Sequence, residues 1–366
     1  MTPAPSPPRS LSDFEILAQA ALSPMAWEYL AGGVADEETL HANRREFGRW
    51  SIVPRVCRDV SSIDTSLQIF GRRHEAPILL APAAYHRLFH PDAELESVRG
   101  ANAAGITFCA SIFSNVTLEA IAAASTAPTW FQLYVQKDRG LTRDLVQRAA
   151  AAGFEALVIT ADVPVNGPRE RELRAGFHLP PGAERANLAH LGPAVAAAAH
   201  RPFGRNIYSA VRTPDLTWDD IAWIRSLTSQ PMLLKGVLHP DDASAALAAG
   251  CDGIIVSNHG GRSLDSVPGT LAQLPAIAAA AGRNAPILFD GGIRRGTDVI
   301  KALALGATAV CVGRPYLWGL AVAGAQGVAQ VVDILRMELE MAMGLSGAPT
   351  LDDVRRTLLQ PAFQRQ

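Results

Sequence analysis

Along most of the chain, short apolar runs rich in β-formers alternate with Ala-rich stretches of helical period, most of which end in Gly or a polar residue. The runs are Ile78 to Ala81, Ile106 to Ala110, Trp130 to Val135, Ala156 to Thr160, Met232 to Lys235, Gly253 to Val256, Ile287 to Phe289 and Ala309 to Val312. Between most neighbours lies one helix-sized segment, such as Leu141 to Ala152, Asp241 to Ala249 or Thr297 to Leu305. That is the connection parallel strands require. Eight such units predict an α/β fold, a closed (β/α)8 TIM barrel. An open doubly wound sheet is the alternative, and it gives no reason for eight evenly spaced units.

Two regions break the rhythm. Ahead of the first run, Ser12 and Glu15 form a capping-box pattern, and apolar residues at helical spacing continue through Trp27 and Leu30, predicting an N-terminal helical segment. Residues 44–73 are irregular, with a strand-like run at Leu67 to Phe70, and are assigned no domain of their own. Between Thr160 and Met232 lies an insert too long for a plain connection, holding Pro180, Pro181, Gly182, an Ala-rich run and Pro202. It reads as a lid over the barrel mouth at about 170–230, with a disordered surface insertion as the other reading. The plan is therefore a loose tail at 1–10 and a single barrel domain at 11–366.

Composition narrows the partner. A formal charge of −2 gives no electrostatic footprint for nucleic acid or an anionic membrane surface, so a small molecule is expected. The start, Met1 to Ser10, lacks the apolar core of a secretory signal, and no later stretch reads as long enough to span a bilayer; a cytoplasmic protein is expected. Cys57, Cys109, Cys251 and Cys311 lie far apart without CxxC spacing and read as reduced, buried and inert. Only three of the 33 basic residues are lysines, Lys137, Lys235 and Lys301. One of them, Lys235, ends an apolar strand, which implies a need for an ammonium there.

In such a barrel chemistry sits at the C-terminal strand ends. Those ends hold Ala83 and Ala84, Ser111, Gln132 with Tyr134, Thr160 with Asp162, Lys235, Ser257-Asn258-His259, Asp290, and Gly313 with Arg314. Each alone is as well explained by a solvated loop or a helix cap; their concentration is not. After the seventh strand, Asp290-Gly291-Gly292-Ile293-Arg294-Arg295-Gly296-Thr297 combines Gly-rich backbone with two arginines at a helix start, and Gly313-Arg314-Pro315 follows the eighth. Backbone N–H groups, a helix dipole and guanidinium forks make an anion site, so a phosphorylated ligand or cofactor is expected between these strands. No two glycines are spaced GxG and no GxxxxGK[ST] occurs, which disfavours a dinucleotide and fits a mononucleotide. His259, with Asp162 able to orient it and Arg262 suited to a carboxylate, forms an acid-base set for a hydroxy acid. No His and carboxylate set has metal-ligand spacing, so no metal is expected.

These residues, in this order, resemble the FMN-dependent L-2-hydroxy acid oxidases and dehydrogenases, the group of glycolate oxidase, lactate oxidase, hydroxymandelate oxidase and mandelate dehydrogenase. The likeness runs from about Phe14 to Leu351. Its most specific segments are Ser257 to Arg262 with Leu264-Asp265, Asp290 to Asp298, Lys235-Gly236-Val237, Phe131-Gln132-Leu133-Tyr134, and Tyr29 with Ala31-Gly32-Gly33. The resemblance implies FMN as cofactor, a small 2-hydroxy acid as substrate and oxygen as acceptor, with His259 as base and Asp162 as partner of its imidazolium. It implies Lys235 beside flavin N1, and Arg262, Arg169, Tyr29 and Tyr134 on the substrate. Pro82, Ala83, Ala84, Ser111, Gln132, Thr160 and Ser257 fall to the flavin ring, Asp290 to the ribityl chain, and Gly292, Arg294, Gly313 and Arg314 to the phosphate. The long insert corresponds to the family's mobile loop, and homotetramers or octamers are the family's common assemblies.

The chain also departs from the pattern. Pro82-Ala83-Ala84 replaces the Pro-Thr-Ala of many relatives, and Ala84 favours oxygen over another acceptor. Phe113 stands where glycolate oxidases carry Trp, and Asn166 replaces an apolar residue near the substrate tail. The tail is left open between aliphatic and aryl. So are a dehydrogenase or monooxygenase outcome, a different FMN-barrel chemistry and a non-catalytic barrel.

Overall fold

The computed structural model describes residues 8–192, 207–282 and 285–362. Twelve strands occur among them in chain order: β1 (Trp50–Ile52), β2 (Leu67–Ile69), β3 (Arg72–His74), β4 (Ile78–Leu80), β5 (Phe108–Ser111), β6 (Thr129–Leu133), β7 (Ala156–Thr160), β8 (Met232–Val237), β9 (Gly253–Val256), β10 (Ile287–Phe289), β11 (Ala309–Val312) and β12 (Leu359–Pro361). Strands β4 to β11 pair in parallel in sequence order and close through β11 onto β4, giving the eight-stranded barrel the periodicity predicts. Nearly every barrel-strand residue is buried, because side chains pointing inward fill the barrel while those pointing outward meet the helical ring. Leu79, Cys109, Trp130, Val158, Leu233, Ile255, Leu288 and Cys311 belong to one interior cluster, and Ile78, Leu80 and their outward-facing counterparts to the larger shell.

Register sets the height of each polar strand end. Ser111 lies opposite Gln132, and Thr160 opposite Lys235, so each of four adjacent strands brings a polar group toward the mouth. At the top of β8 the pairing with β9 slips between Lys235 and Val237, around Gly236. Its φ is +106°, and a Cβ there would lie 2.5 Å from Asp162 Cβ. The bulge and the missing side chain together let the β7 loop lean over β8.

The N-terminal segment is two helices, α1 (Leu11–Ala21) and α2 (Pro24–Ala31), followed by α3 (Glu38–Arg45). The capping box of α1 is Ser10 with Asp13, not Ser12 with Glu15, and the helical period is interrupted at Leu22 and Ser23, where Ser23 caps α2 ahead of Pro24. Pro at the first helical position cannot continue α1 but starts α2 well. Helices α4 (Glu94–Ala104), α5 (Leu118–Ala124) and α6 (Arg139–Ala152) follow the first three barrel strands.

Within the insert lie a short helix α7 (Glu170–Arg174), a 3-10 turn (Ala186–Leu191) and α8 (Trp218–Leu227), which packs beside α6 as an ordinary barrel helix. The Ala-rich run from 194 and Pro202 fall outside the described residues. Helices α9 (Pro240–Ala248), α10 (Thr270–Ala281) and α11 (Gly296–Ala304) complete the middle of the ring, and α12 (Arg314–Ser346) ends it.

By length and composition α12 is long and apolar enough to cross a bilayer, which the expectation from sequence does not anticipate. It is broken at Ala323 and Gly324, more than half of its apolar window is buried, and it packs on α4, α1 and α11. That is the burial of a core helix. Three cysteines are buried, and Cys57, expected to be buried, is exposed because it lies in the irregular segment after β1.

Candidate active site

The C-terminal strand ends open into a cavity of about 1200 Å³. Of the residues singled out from sequence, Tyr29, Pro82, Ala83, Ala84, Ser111, Gln132, Tyr134, Thr160, Arg169, Lys235, His259, Arg262, Asp290, Gly292, Arg294, Gly313 and Arg314 line it. Asp162 and Ser257 stand behind this lining. Asp162 holds His259, and Ser257 Oγ accepts from Lys235 Nζ at 2.7 Å and from His259 N at 3.1 Å. Ser257 is thereby a support for two lining residues rather than a cavity surface.

His259 is aimed by the backbone. It follows β9 with φ +57°, a left-handed conformation that costs a non-Gly residue roughly 1–2 kcal/mol. The surrounding loop holds it there: the side-chain amides of Asn258 and Asn43 exchange two hydrogen bonds, at 2.8 and 2.9 Å, and Asn258 Oδ1 also accepts from Gly261 N at 3.2 Å. The imidazole then turns into the mouth, with Nδ1 2.8 Å from Asp162 Oδ1 and Nε2 3.4 Å from the Tyr134 hydroxyl. An ionised Asp162 keeps the proton on Nδ1 and leaves the Nε2 lone pair facing the cavity. Burial lowers the His259 pKa and outweighs the opposing pull of Asp162, so the ring is neutral at pH 7. For Asp162 burial works upward, but His259 and Lys235 outweigh it and keep the carboxyl below its ordinary value. The pair is therefore a neutral base backed by a carboxylate.

Lys235 Nζ sits 3.0 Å from Asp290 Oδ2. Burial opposes its charge, yet Asp290 and Asp162 together hold the ammonium charged, with its pKa raised. Asp290 Oδ1, Gln132 Nε2 and Thr160 Oγ1 are buried without a hydrogen-bond partner. Three orphaned polar atoms on one cavity wall mark the place of a polar, planar ligand, since each otherwise costs about 1–3 kcal/mol.

At the β10 and β11 ends the surplus is positive. The Arg294 guanidinium lies over Trp318, 4.6 Å from the ring centre, and donates to Ile293 O, and burial pulls its pKa down to about 10. Arg314 donates to the carbonyls of Leu30, Gly32 and Gly260 at 2.9, 2.9 and 3.0 Å. It thus staples α2 to the His259 loop. Neither arginine has a carboxylate within ion-pair distance among the described residues. Beside them the backbone of Gly292, at φ +90°, passes so close to Asn43 that a Cβ would meet its carbonyl at 2.2 Å. Buried cations around bare backbone fit a phosphate.

The third cluster joins the insert to the loop after β9. Arg169 and Arg262 share one carboxylate, Glu172, whose Oε1 is 3.4 Å from Arg169 Nη1 and 2.7 Å from Arg262 Nη2. Arg169 Nε also donates to the Arg262 carbonyl at 3.1 Å, and Arg262 stacks on Tyr29 at 4.9 Å. Glu172 is buried and its Oε2 has no partner. Nothing at the sequence level singled it out. Its only signal was an acidic residue three positions after Arg169, at helical spacing. Asn43 was likewise invisible, lying 215 residues before its partner.

Known proteins carry the same architecture. The family model of the FMN-dependent dehydrogenases matches residues 18–361. The chain belongs to that family. It is 46% identical to an L-lactate oxidase of Nostoc sp. over 359 residues, which covers 97% of this chain and 98% of that protein. It is 44% identical to a 4-hydroxymandelate oxidase of Amycolatopsis orientalis over 351 residues, covering 95% and 97% of the two chains. Among solved structures, a mandelate oxidase with (S)-4-hydroxymandelic acid superposes with a TM-score of 0.91 at 42% identity, over 97% of this chain and 99% of that one. As an FMN-dependent dehydrogenase the chain takes FMN. The cavity fits it: the orphaned atoms of Gln132, Thr160 and Asp290 suit the ring and ribityl polar groups, and Arg294 with the Gly292 and Gly313 backbone suits the phosphate.

Proposed function

We propose that this enzyme oxidises an L-2-hydroxy acid to the 2-keto acid, with His259 as the general base and oxygen as final acceptor, releasing hydrogen peroxide. The observation that carries the reading is the hydrogen-bond line from Asp162 through Nδ1 and the neutral His259 ring to an Nε2 that faces the cavity beside Tyr134. FMN, when bound, supplies the acceptor for the substrate's electrons.

The remaining roles belong to this chain's side chains. Arg169 and Arg262 bind the substrate carboxylate, and Tyr29 and Tyr134 orient the α-oxygen; burial raises the pKa of both phenols, so they act as donors at neutral pH. Glu172, resident on the arginine pair, yields part of its contact when substrate enters. Accepting the substrate's proton at Nε2 turns His259 into an imidazolium, and Asp162 stabilises that charge. Lys235, held by Asp290 and Ser257, places a fixed positive charge at the ring-binding wall, where negative charge gathers during substrate oxidation.

Two further readings accompany this one. Met337, Met341 and Leu345 are exposed at helical spacing on α12, with Ile16 also exposed on α1, an apolar stripe that supports self-association as a homotetramer or octamer. Light scattering tests the mass. Four unpaired cysteines support a reducing compartment, the cytoplasm.

The deciding experiment is an anaerobic titration of the yellow protein with lactate, glycolate and mandelate, followed by air. Bleaching and then recovery of colour with peroxide is the expected course. A flavin that stays bleached in air makes the enzyme a dehydrogenase, and one that no hydroxy acid bleaches removes the reading.

A further inference from the structure

Besides Arg169 with Arg262 and Arg294 with Arg314, two more guanidinium groups line the cavity. Arg185 and Arg212 are 6% and 7% exposed, and neither has a carboxylate within ion-pair distance among the described residues. Arg185 donates from Nε to the Tyr85 hydroxyl at 2.8 Å and lies over Phe113, 4.2 Å from the ring centre. Arg212 lies over Tyr134 at 5.1 Å and donates to Asn166 Oδ1, while its Nε is buried with no partner. The segment 193–206, outside the described residues, contains no Asp or Glu, so it has no counter-charge to lend.

Location says what these cations face. The Phe113 and Tyr134 rings are 5.2 Å apart, and the Tyr134 hydroxyl is 3.4 Å from His259 Nε2. Arg212 thus stands one aromatic ring from the reacting atoms and Arg185 two, on the wall that a substrate's tail reaches once its carboxylate is held by Arg169 and Arg262. Charge balance points the same way. Arg169, Arg262 and Glu172 leave one positive charge, which a monocarboxylate neutralises. Arg185 and Arg212 add two more that such a substrate leaves bare. A buried cation without an anion is costly, whereas a neutral polar or apolar side chain in the same space is not.

Resting on the oxidation reading above, we infer that the preferred substrate is a 2-hydroxy acid with a second carboxylate at its far end, which Arg185 and Arg212 bind together. Aromatic walls shield that contact from water and strengthen it, and Asn166 and the Tyr85 hydroxyl hold the two guanidinium groups in place.

The test compares tails of equal length on the holoenzyme. Flavin bleaching is followed anaerobically with (S)-2-hydroxyglutarate against (S)-2-hydroxyvalerate, and with (S)-malate against (S)-2-hydroxybutyrate. The diacid of each pair should show the higher kcat/KM by about 10-fold or more, with an advantage that shrinks as salt rises. Arg212→Leu and Arg185→Leu should each lower the diacid-to-monoacid ratio by roughly 10- to 100-fold. Equal or better rates with the neutral tails in the unaltered protein overturn the inference and leave the oxidation reading standing, and this comparison needs no variant to fold. If no hydroxy acid bleaches the flavin, the oxidation reading falls instead. The tail site is then judged by spectral titration with 2-oxoglutarate against 2-oxovalerate: tighter binding of the diacid upholds it, and equal binding rejects it.

Discussion

The two halves of the mouth are built on different terms. On the strand side, β7 to β10 deliver His259 with Asp162 and Lys235 with Asp290, each nitrogen facing its own carboxylate at 3.0 Å or less. On the insert side, Arg169 and Arg262 share a single carboxylate, and Arg185 and Arg212 have none. The first set is thus paired before any ligand arrives, while Arg262 on the β9 loop and the arginines of the insert await charges that a ligand must bring. The proposed function therefore assigns catalytic power to the first set and selectivity to the second.

Substitutions separate the two sets, and the largest effect is expected at the base. His259→Gln keeps the shape but not the proton acceptor, so flavin reduction in a stopped-flow experiment should slow by about 10³-fold or more while the protein stays yellow. A loss under tenfold would break the assignment of chemistry to the strand side. Next comes Lys235→Met, which leaves the Asp290 carboxylate buried and unpaired. It should cost about 3–5 kcal/mol in a urea melt and weaken FMN retention, whereas an unaltered melting curve would show that the pair is dispensable.

Asp162→Asn should lower turnover by about 10- to 100-fold and also move a pH profile. Only neutral His259 accepts a proton, and its folded pKa already lies below 6.5, so activity should fall on the acid side below that value and persist at pH 7. Removing Asp162 takes away the one group that raises this pKa, so the acid limb of kcat/KM should shift further down. An upward shift would contradict the geometry. Least is expected from Glu172→Gln, which frees the arginine pair of its resident charge: KM for hydroxy acids should fall several-fold and Tm should drop slightly. A raised KM at constant kcat would mean that Glu172 holds the clamp in shape more than it competes for it.

What the sequence revealed follows the same division. Eight apolar runs announced the eight barrel strands, with ends displaced by up to two residues, as at β5, read as Ile106 to Ala110 and formed by Phe108–Ser111. Residues directly beyond those runs were therefore legible as a cluster, because a strand end fixes where the next side chains go. The contact of Ser257 with Lys235 was not legible, since hydroxyl orientation depends on neighbours that periodicity does not name. Glu172, Arg185 and Arg212 went unread because the insert has no regular period to position them. At α1 the capping box read at Ser12 and Glu15 forms two residues earlier, at Ser10 and Asp13, and the helix it starts buries Leu11, Phe14 and Ala18.

The closing helix also bears on synthesis. Helix α1 docks on α12, and β1 pairs with β12, Trp50 standing opposite Pro361, so the opening residues of the chain find their seat on its final ones. A ribosome must therefore release α12 and β12 before α1 and β1 can settle. Until then Leu11 and Phe14 remain uncovered, and a nascent chain halted after β9 would be a client for chaperones rather than a half-built enzyme.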